Sequence, residues 1–125
     1  MQSTFKDKVV IVTGGANGIG KCIAEEFRRY DAFVYVIDKQ EGCHFVGDIS
    51  EKQVLEALVT EVLSKHDKVD IIINNALPLM KGIDECTFEE FQYALSVGVT
   101  APFYLVKLLA PHLAEGASIV NISSS

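Results

Sequence analysis

Three glycines near the start of the chain have the spacing of a phosphate-binding turn. Gly14, Gly18 and Gly20 lie in the run TGGANGIG, which directly follows a stretch of β-branched residues. A first βα turn needs glycine where the chain reverses, where the backbone approaches a phosphate and where the helix packs on the strand. The following helix would direct its free amide hydrogens and the positive end of its dipole at the same point. We therefore expect a dinucleotide pyrophosphate to contact Gly14, Asn17, Gly18, Ile19 and Gly20.

An acidic residue follows at the distance typical of a ribose contact. Asp38 comes 18 residues after Gly20 and ends the next apolar stretch. A carboxylate there would accept hydrogen bonds from both hydroxyls of the adenosine ribose and would repel a 2′-phosphate, so NAD is predicted in preference to NADP. Lys39, the next residue, would soften this preference and is included among the expected cofactor contacts. The alternative role for Asp38 is that of a solvated loop carboxylate.

A second acidic residue is expected at the same edge of the sheet. Asp48 and Ile49 follow the third predicted strand. Ligands of open parallel sheets bind outside the carboxyl ends of the strands, so Asp48 is expected to contact the adenine ring, and Ile49 is included among the expected cofactor contacts. Helix capping or simple loop polarity is the alternative role for Asp48.

The apolar pattern predicts strands that alternate with helices. Continuous β-branched runs are typical of strands buried on both faces, whereas apolar residues at steps of three and four are typical of helices packed on a sheet. No repeat or low-complexity segment interrupts this order. The sequence therefore predicts an α/β fold, with a three-layer, doubly wound parallel sheet. The predicted strands are residues 8–13, 33–37, 44–47, 69–73 and 119–122, and the predicted helices are residues 18–30, 50–66 and 87–113.

Two places depart from the regular pattern. Only residues 39–43 connect the second and third strands, although parallel neighbours normally need a crossover of about a dozen residues, usually a helix. We therefore expect that helix to be missing. In the long helix, Pro102 has no amide hydrogen for the carbonyl of Gly98, and its ring presses on that carbonyl, which predicts a kink near Gly98.

Two helix starts have the pattern of a capping box. Ser50 is followed three residues later by Gln53, and Thr87 is followed by Glu90. In this motif the Ser or Thr side chain and the Glu or Gln side chain satisfy amides at the helix N-terminus. Both helices are expected to begin in this way.

Charge and composition exclude several kinds of partner. The net charge is −6 and no run of Lys or Arg occurs, which argues against nucleic acid and anionic membranes. No segment resembles a signal peptide, and no apolar stretch approaches the roughly 18 residues of a membrane span, so no membrane partner and a cytoplasmic location are expected. The scattered cysteines and histidines predict neither a disulfide framework nor a metal site. These residues are Cys22, Cys43, Cys86, His44, His66 and His112.

Three motifs in order resemble the short-chain dehydrogenase/reductase family. TGGANGIG resembles that family's TGxxxGxG, the run Asn74-Asn75-Ala76 resembles its NNAG, and residues 119–124 resemble the segment that leads to its catalytic serine. The resemblance extends from Lys8 to Ser125. It implies a compact Rossmann fold, truncated here after the fifth strand.

The resemblance also implies roles for individual residues. Asn75 and Ala76 would line the adenosine side of the cofactor, Asn74 would tie two strands together, and Ser124 would be the catalytic serine. In such enzymes the serine hydroxyl bonds the substrate oxygen, a tyrosinate whose pKa a nearby lysine lowers moves the proton, and the cofactor moves hydride. A polar residue at a strand end is the alternative for Ser124. The backbone of Ile122 and Ser123 would approach the nicotinamide.

The chain departs from the family pattern at several points. Leu77, also an expected cofactor contact, stands where the family has glycine, and Pro78 follows it. Gly98 occupies the place of an asparagine that helps to hold a water in the proton relay. The Tyr-x-x-x-Lys pair expected about a dozen residues after Ser124 lies beyond the last residue. The letters recur once at Tyr35–Lys39, where an extended strand would hold the two side chains about 13 Å apart.

Together these features predict an NAD-dependent oxidoreductase that interconverts an alcohol and a carbonyl compound. Residues 1–125 would form one NAD(P)-binding domain of a longer protein, because the last apolar strand would otherwise lie uncovered near a sheet edge. The span alone would be inactive without the tyrosine and lysine. The resemblance implies a homodimer or homotetramer formed through the helix at residues 87–113. The alternative is a catalytically silent dinucleotide-binding or interaction protein.

Overall fold

The computed structural model describes residues 5–78 and 81–122. All five strands are parallel and form one sheet in the order β3-β2-β1-β4-β5. The doubly wound α/β fold predicted from the sequence is confirmed. The elements in chain order are β1 Val9–Thr13, α1 Gly18–Arg29, β2 Phe33–Asp38, β3 Phe45–Val46, α2 Lys52–Leu63, β4 Val69–Asn74, α3 Phe88–Leu95, a π-helical turn Ser96–Thr100, α4 Ala101–Leu109, a 3₁₀ turn Ala110–His112 and β5 Leu113–Asn121.

The central strand β1 is buried on both faces. Its side chains alternate, so that Val9 and Ile11 join one core cluster with α2 and α4, while Val10 and Val12 join a second cluster with α1. Each buried aliphatic side chain of this kind contributes about 1.5–3 kcal/mol. This two-sided burial explains why β1 is a continuous apolar run rather than an alternating one.

The connection between β2 and β3 contains no helix, as the sequence predicts. Ile37 pairs with Phe45 and Asp38 pairs with Val46, and the loop between the strands includes a turn at Gly42 with φ +98°. Cys43 packs against the core cluster on the α1 side of the sheet. A short loop with one inward side chain therefore provides part of the cover that a crossover helix would supply.

The predicted capping box at the start of α2 is wrong. Helix α2 begins at Lys52, and Glu51, its N-cap residue, makes no side-chain capping bond. The physical reason is Asp48, whose Oδ1 accepts the Ser50 amide at 2.9 Å and holds Ser50 in the preceding turn. The other box is confirmed, because Thr87 and Glu90 exchange two hydrogen bonds of 3.1 Å. The predicted end near residue 66 was also late, since α2 ends at Leu63.

The long helical segment is irregular where the proline predicts it. A π-helical turn at Ser96–Thr100 interrupts the α-helical bonding, and it includes Gly98, whose carbonyl lacks the Pro102 amide as a partner. The whole segment, Phe88–His112, has 25 residues and is apolar and long enough to cross a membrane by length and composition. The expectation that no stretch approaches this length is therefore wrong. The segment nevertheless packs against the sheet and α2 through Val97, Leu105 and Leu109.

The fifth strand is longer than the apolar pattern predicts. It runs from Leu113 rather than from residue 119, and an irregularity separates the pair Val69–Leu113 from the pair Ile71–Ser118. Gly116 has φ +77° inside this irregular part. The first half of the strand consists mainly of small and polar residues and pairs through its backbone. It therefore lacks the apolar pattern from which strands are predicted.

Candidate functional site

A cavity of about 610 Å³ lies at the carboxyl edge of the sheet. Its position next to β1 and β4 is the switch point of the sheet, where the chain changes from building one half to building the other. The volume is in the range of small-molecule sites. The cavity is lined by Gly14, Asn17, Ile37, Asp38, Lys39, Gln40, Gly47, Asp48, Ile49, Asn75, Ala76, Leu77, Pro78, Glu89, Glu90, Tyr93 and Val97.

The glycine turn is shaped by contact with the end of β4. Gly14 has φ +69°, and a Cβ atom there would lie 2.8 Å from the Ala76 Cα atom. A Cβ atom on Gly20 would overlap the Gly14 carbonyl oxygen and the side-chain nitrogen Nδ2 of Asn75. Gly18 has φ +56° and faces open space. Positive φ and close approach therefore explain the three glycines on which the prediction rests.

Gly15 is a further constrained glycine that the sequence analysis missed. A Cβ atom on it would overlap Cγ1 of Val36, a buried residue of the neighbouring strand. The constraint comes from a side chain 21 residues away in sequence, so the turn motif itself contains no signal for it.

The start of α1 is suited to an anion. Its N-cap residue Asn17 makes no side-chain capping bond, and no acidic residue occupies the first turn. Among the described residues, the Asn17 side chain instead donates to Gln40 in the loop after β2. The first amides of the helix therefore lack a capping side chain. Gly18, Ile19 and Gly20 belong to this turn, although they do not line the cavity.

Asp38 joins the end of β2 to the glycine turn. Its Oδ2 accepts the Ala16 amide at 3.0 Å, and its Oδ1 accepts the Gln40 amide at 3.1 Å. The side chain is half-buried at the cavity wall rather than fully solvated. Because each carboxylate oxygen accepts more than one hydrogen bond, both retain capacity for ligand hydroxyls.

Lys39, Tyr93 and Asp48 form a chain of polar contacts along the cavity. Lys39 Nζ donates to the Tyr93 hydroxyl at 2.9 Å, and that hydroxyl donates to Asp48 Oδ2 at 2.9 Å. The hydrogen bond to Tyr93 raises the pKa of the Lys39 ammonium. Burial raises the pKa of Asp48, but bonds from Ser50 and Tyr93 and the charge of Lys39 outweigh it, so the pKa lies below its usual value. Both groups are therefore charged at neutral pH.

The Asn-Asn-Ala run connects three strands. Asn74 Nδ2 donates to Asn121 Oδ1 at 2.9 Å and so ties β4 to β5, as the resemblance implies. Asn75 Nδ2 donates to the Gly14 carbonyl at 2.8 Å. The amides of Asn75 and Ala76 both donate to Thr13 Oγ1 at 3.1 Å. Thr13, which the sequence analysis did not single out, therefore fixes the run against the glycine turn.

Replacing Thr13 by valine is expected to lower the free energy of unfolding by about 2–4 kcal/mol, because two amides at a buried position would lose their acceptor. Thr13→Ser is the matched control, since it keeps the hydroxyl and removes only a methyl group. Chemical denaturation of the intact protein compares the two. Equal stability of the valine and serine variants would show that the hydroxyl does not hold this junction.

Two departures from the family pattern lie against each other. Leu77 is exposed at the cavity, and Pro78 lies near Gly98 of the π-helical turn. A Cβ atom on Gly98 would lie 3.6 Å from Pro78 Cδ, an ordinary van der Waals distance. Space therefore does not force glycine at this position.

The remaining predicted residues lie apart from the cavity or outside the described residues. Ile122 donates its amide to the Asn74 carbonyl at 3.0 Å, at the end of β5, and does not line the cavity. Ser123 and Ser124 lie outside the described residues. The sequence analysis missed the contribution of α3 and the π-helical turn, although Glu89, Tyr93 and Val97 recur at steps of four and so share one face of the helical segment.

Comparison with known proteins identifies the family. The model of the short chain dehydrogenase family matches residues 8–125. The chain belongs to the short-chain dehydrogenase family. Among its curated relatives is L-fucose dehydrogenase of Mus musculus, 35% identical over 135 residues, with 96% of this chain and 50% of the relative covered. NAD-dependent glycerol dehydrogenase of Listeria innocua is 28% identical, with 94% of this chain and 53% of the relative covered.

Solved structures of this family have the same fold. The 3-ketoacyl-(acyl-carrier-protein) reductase of Brucella melitensis, complexed with NADH, superposes with a TM-score of 0.86 at 27% identity, and 97% of this chain and 58% of that chain are covered. L-sorbose reductase of Gluconobacter frateurii, complexed with NADPH and L-sorbose, gives 0.85 at 26% identity, with 97% and 54% covered. The chain thus spans about half the length of the short-chain dehydrogenases it matches.

Proposed function

We propose that the intact protein is a nicotinamide-dependent oxidoreductase that interconverts an alcohol and a carbonyl compound, with NAD preferred over NADP. The observation that carries the proposal is one cavity, at the switch point of the sheet, that joins the glycine turn to two carboxylates at strand ends. Relatives that are dehydrogenases of fucose, glycerol and galactose support the reaction class.

The chain's own residues divide the work of holding the cofactor. The uncapped start of α1 would receive the pyrophosphate, because its amides and dipole attract an anion without a basic side chain. Asp38 would accept the ribose hydroxyls, and Asp48 with Ile49 would form the wall at the adenine. Ala76 and Leu77 would close the cavity from the β4 side. The nicotinamide, when bound, would supply or accept the hydride.

Ser124 is proposed to bond the substrate oxygen. In sequence it comes two residues after Ile122, whose amide donates to the Asn74 carbonyl. Hydrogen bonding to that oxygen would orient the carbon that exchanges hydride. A Tyr-x-x-x-Lys pair, which the family resemblance implies, would move the proton.

Turnover by the intact protein tests the proposal. With NAD and a panel of sugars and polyols, absorbance of the reduced cofactor is expected to rise, and Ser124→Ala is expected to reduce kcat by about 100-fold or more. Ser64→Ala, at the exposed C-terminal end of α2 and outside the cavity, is the matched control. Tight nucleotide binding without turnover on any substrate would instead support the silent binding protein, which Leu77 and Gly98 favour as departures from the family pattern.

The outer face of the long helical segment supports the proposal of a homo-oligomer. Large apolar side chains recur there at steps of three and four, and each is more than two-fifths exposed. A second copy of the chain would remove this stripe from water. Light scattering of the intact protein is expected to give a dimer or tetramer, whereas a monomer that stays monomeric at high concentration would exclude the proposal. The stripe consists of Phe88, Phe91, Leu95, Val99 and Phe103.

A further inference from the structure

The cavity is poor in positive charge. Among the described residues that line it, Lys39 is the only Lys or Arg, whereas four are acidic. Lys81 follows the lining residue Pro78 by three positions in sequence. Its ammonium lies 2.8 Å from Glu90 Oε2 and is therefore already paired. A 2′-phosphate carries a charge of about −1.5 to −2 at neutral pH and needs a cation to replace its hydration. Lys39 is therefore the group on which tolerance of NADP would depend.

The ammonium of Lys39 is already engaged by α3. Its Nζ donates to the Tyr93 hydroxyl at 2.9 Å and lies 5.0 Å from the centre of that ring. The same hydroxyl donates to Asp48 Oδ2 at 2.9 Å, so the lysine is drawn toward the Asp48 side of the cavity. Lys39 directly follows Asp38 in sequence, and without Tyr93 its flexible side chain could reach a phosphate on the ribose.

We propose that Tyr93 is a specificity-determining residue, which favours NAD by holding the Lys39 ammonium toward Asp48 and away from the 2′-position of the ribose. The inference rests on the proposed function, because it assumes that a nicotinamide dinucleotide occupies the cavity. For the 2′-phosphate of NADP to bind the Lys39 ammonium, the hydrogen bond from Lys39 to Tyr93 must break and the ammonium must move away from Asp48. NAD requires neither change.

A purely structural role for Tyr93 makes a different prediction. The tyrosine also links α3 to Asp48 after β3, so a structural role would mean that its loss loosens the cavity wall. In that case the affinities for NAD and NADP would fall together. A change in the ratio of the NADP and NAD affinities that depends on Lys39 is expected only if the tyrosine acts by restraining the lysine.

Calorimetry of the intact protein tests the inference with Tyr93→Phe, Lys39→Met and the double variant. Tyr93→Phe is expected to tighten NADP binding about threefold to tenfold relative to NAD binding, the range of one hydrogen bond. Lys39→Met alone is expected to change NADP affinity little. The double variant is expected to lack the tighter NADP binding of Tyr93→Phe. Tyr104→Phe is the matched control, because its hydroxyl also bonds a carboxylate, Glu56, at 2.7 Å beside a lysine but outside the cavity.

The outcomes separate this inference from the proposed function. If the unaltered protein binds neither nucleotide, both fail. If it binds NAD, but Tyr93→Phe alters NAD and NADP equally or the gain survives in the double variant, only the role of Tyr93 fails. A gain in affinity that is specific to NADP, requires Lys39 and is absent in Tyr104→Phe supports the proposed role of Tyr93.

Discussion

Replacing Gly14 by alanine is expected to lower the free energy of unfolding by about 3 kcal/mol or more and to abolish nucleotide binding at ordinary concentrations. Two costs add at this position. Its φ of +69° strains any residue with a side chain, and the new Cβ atom would lie 2.8 Å from the Ala76 backbone. Relief of the contact would move the end of β4 away from the glycine turn. Because Ala76 also lines the cavity, its wall would move with it.

Gly18→Ala is the control that separates strain from contact. Gly18 has a similar φ of +56°, but a Cβ atom there meets no described atom within 4 Å. Its cost in stability is therefore expected to be about 1–2 kcal/mol, the left-handed strain alone. Thermal unfolding of both variants measures the difference. Equal losses would contradict the claim that close packing on Ala76 shapes the turn.

Replacing Asp38 by asparagine is expected to weaken NAD binding about 10-fold to 100-fold. The carboxylate would lose its charge-assisted bonds to the ribose hydroxyls, although an amide of the same shape would remain. The affinity for NADP is expected to fall less, because the substitution also removes a negative charge that repels the 2′-phosphate. The ratio of the two affinities therefore shifts toward NADP.

Asp67→Asn, in the exposed segment before β4, is the control for the loss of one negative charge. It is expected to leave both affinities unchanged, since long-range charge effects are screened beyond about 10 Å at moderate salt. Asp38 also bonds the Ala16 amide, so unfolding of the Asp38→Asn variant is measured in parallel. A variant that remains folded and binds NAD as tightly as before would remove Asp38 from the ribose site.

The sequence predicted most of the fold because burial leaves a clear pattern in it. β1 and β4 lie inside the sheet with both faces covered, and their apolar runs show this directly. Where backbone geometry rather than burial determines the start of an element, the apolar pattern does not predict it. The first half of β5 pairs through its backbone around Gly116, and Ser50 is held by Asp48 rather than by the helix that follows it.

The candidate site was predictable where it depends on local motifs. Gly14 and Asp38 lie at a fixed place in a strand-turn-helix unit, and the structure brings both to one cavity. Tyr93 reaches the cavity from a helix more than 50 residues further along the chain, and only the tertiary fold brings it to Lys39. Gly15 is constrained in the same non-local way by Val36. Such contacts leave no signature near the residues that make them.

The most direct test is the titration of the intact protein with NAD and with NADP in a calorimeter, at one pH and one salt concentration. The structure places Asp38 and a restrained Lys39 at the wall of one cavity beside an uncapped helix start. We expect NAD to bind at a single site per chain, more tightly than NADP, and Gly14→Ala to abolish the signal. Tighter binding of NADP would contradict the assignment of cofactor, and binding of neither nucleotide would contradict the site itself.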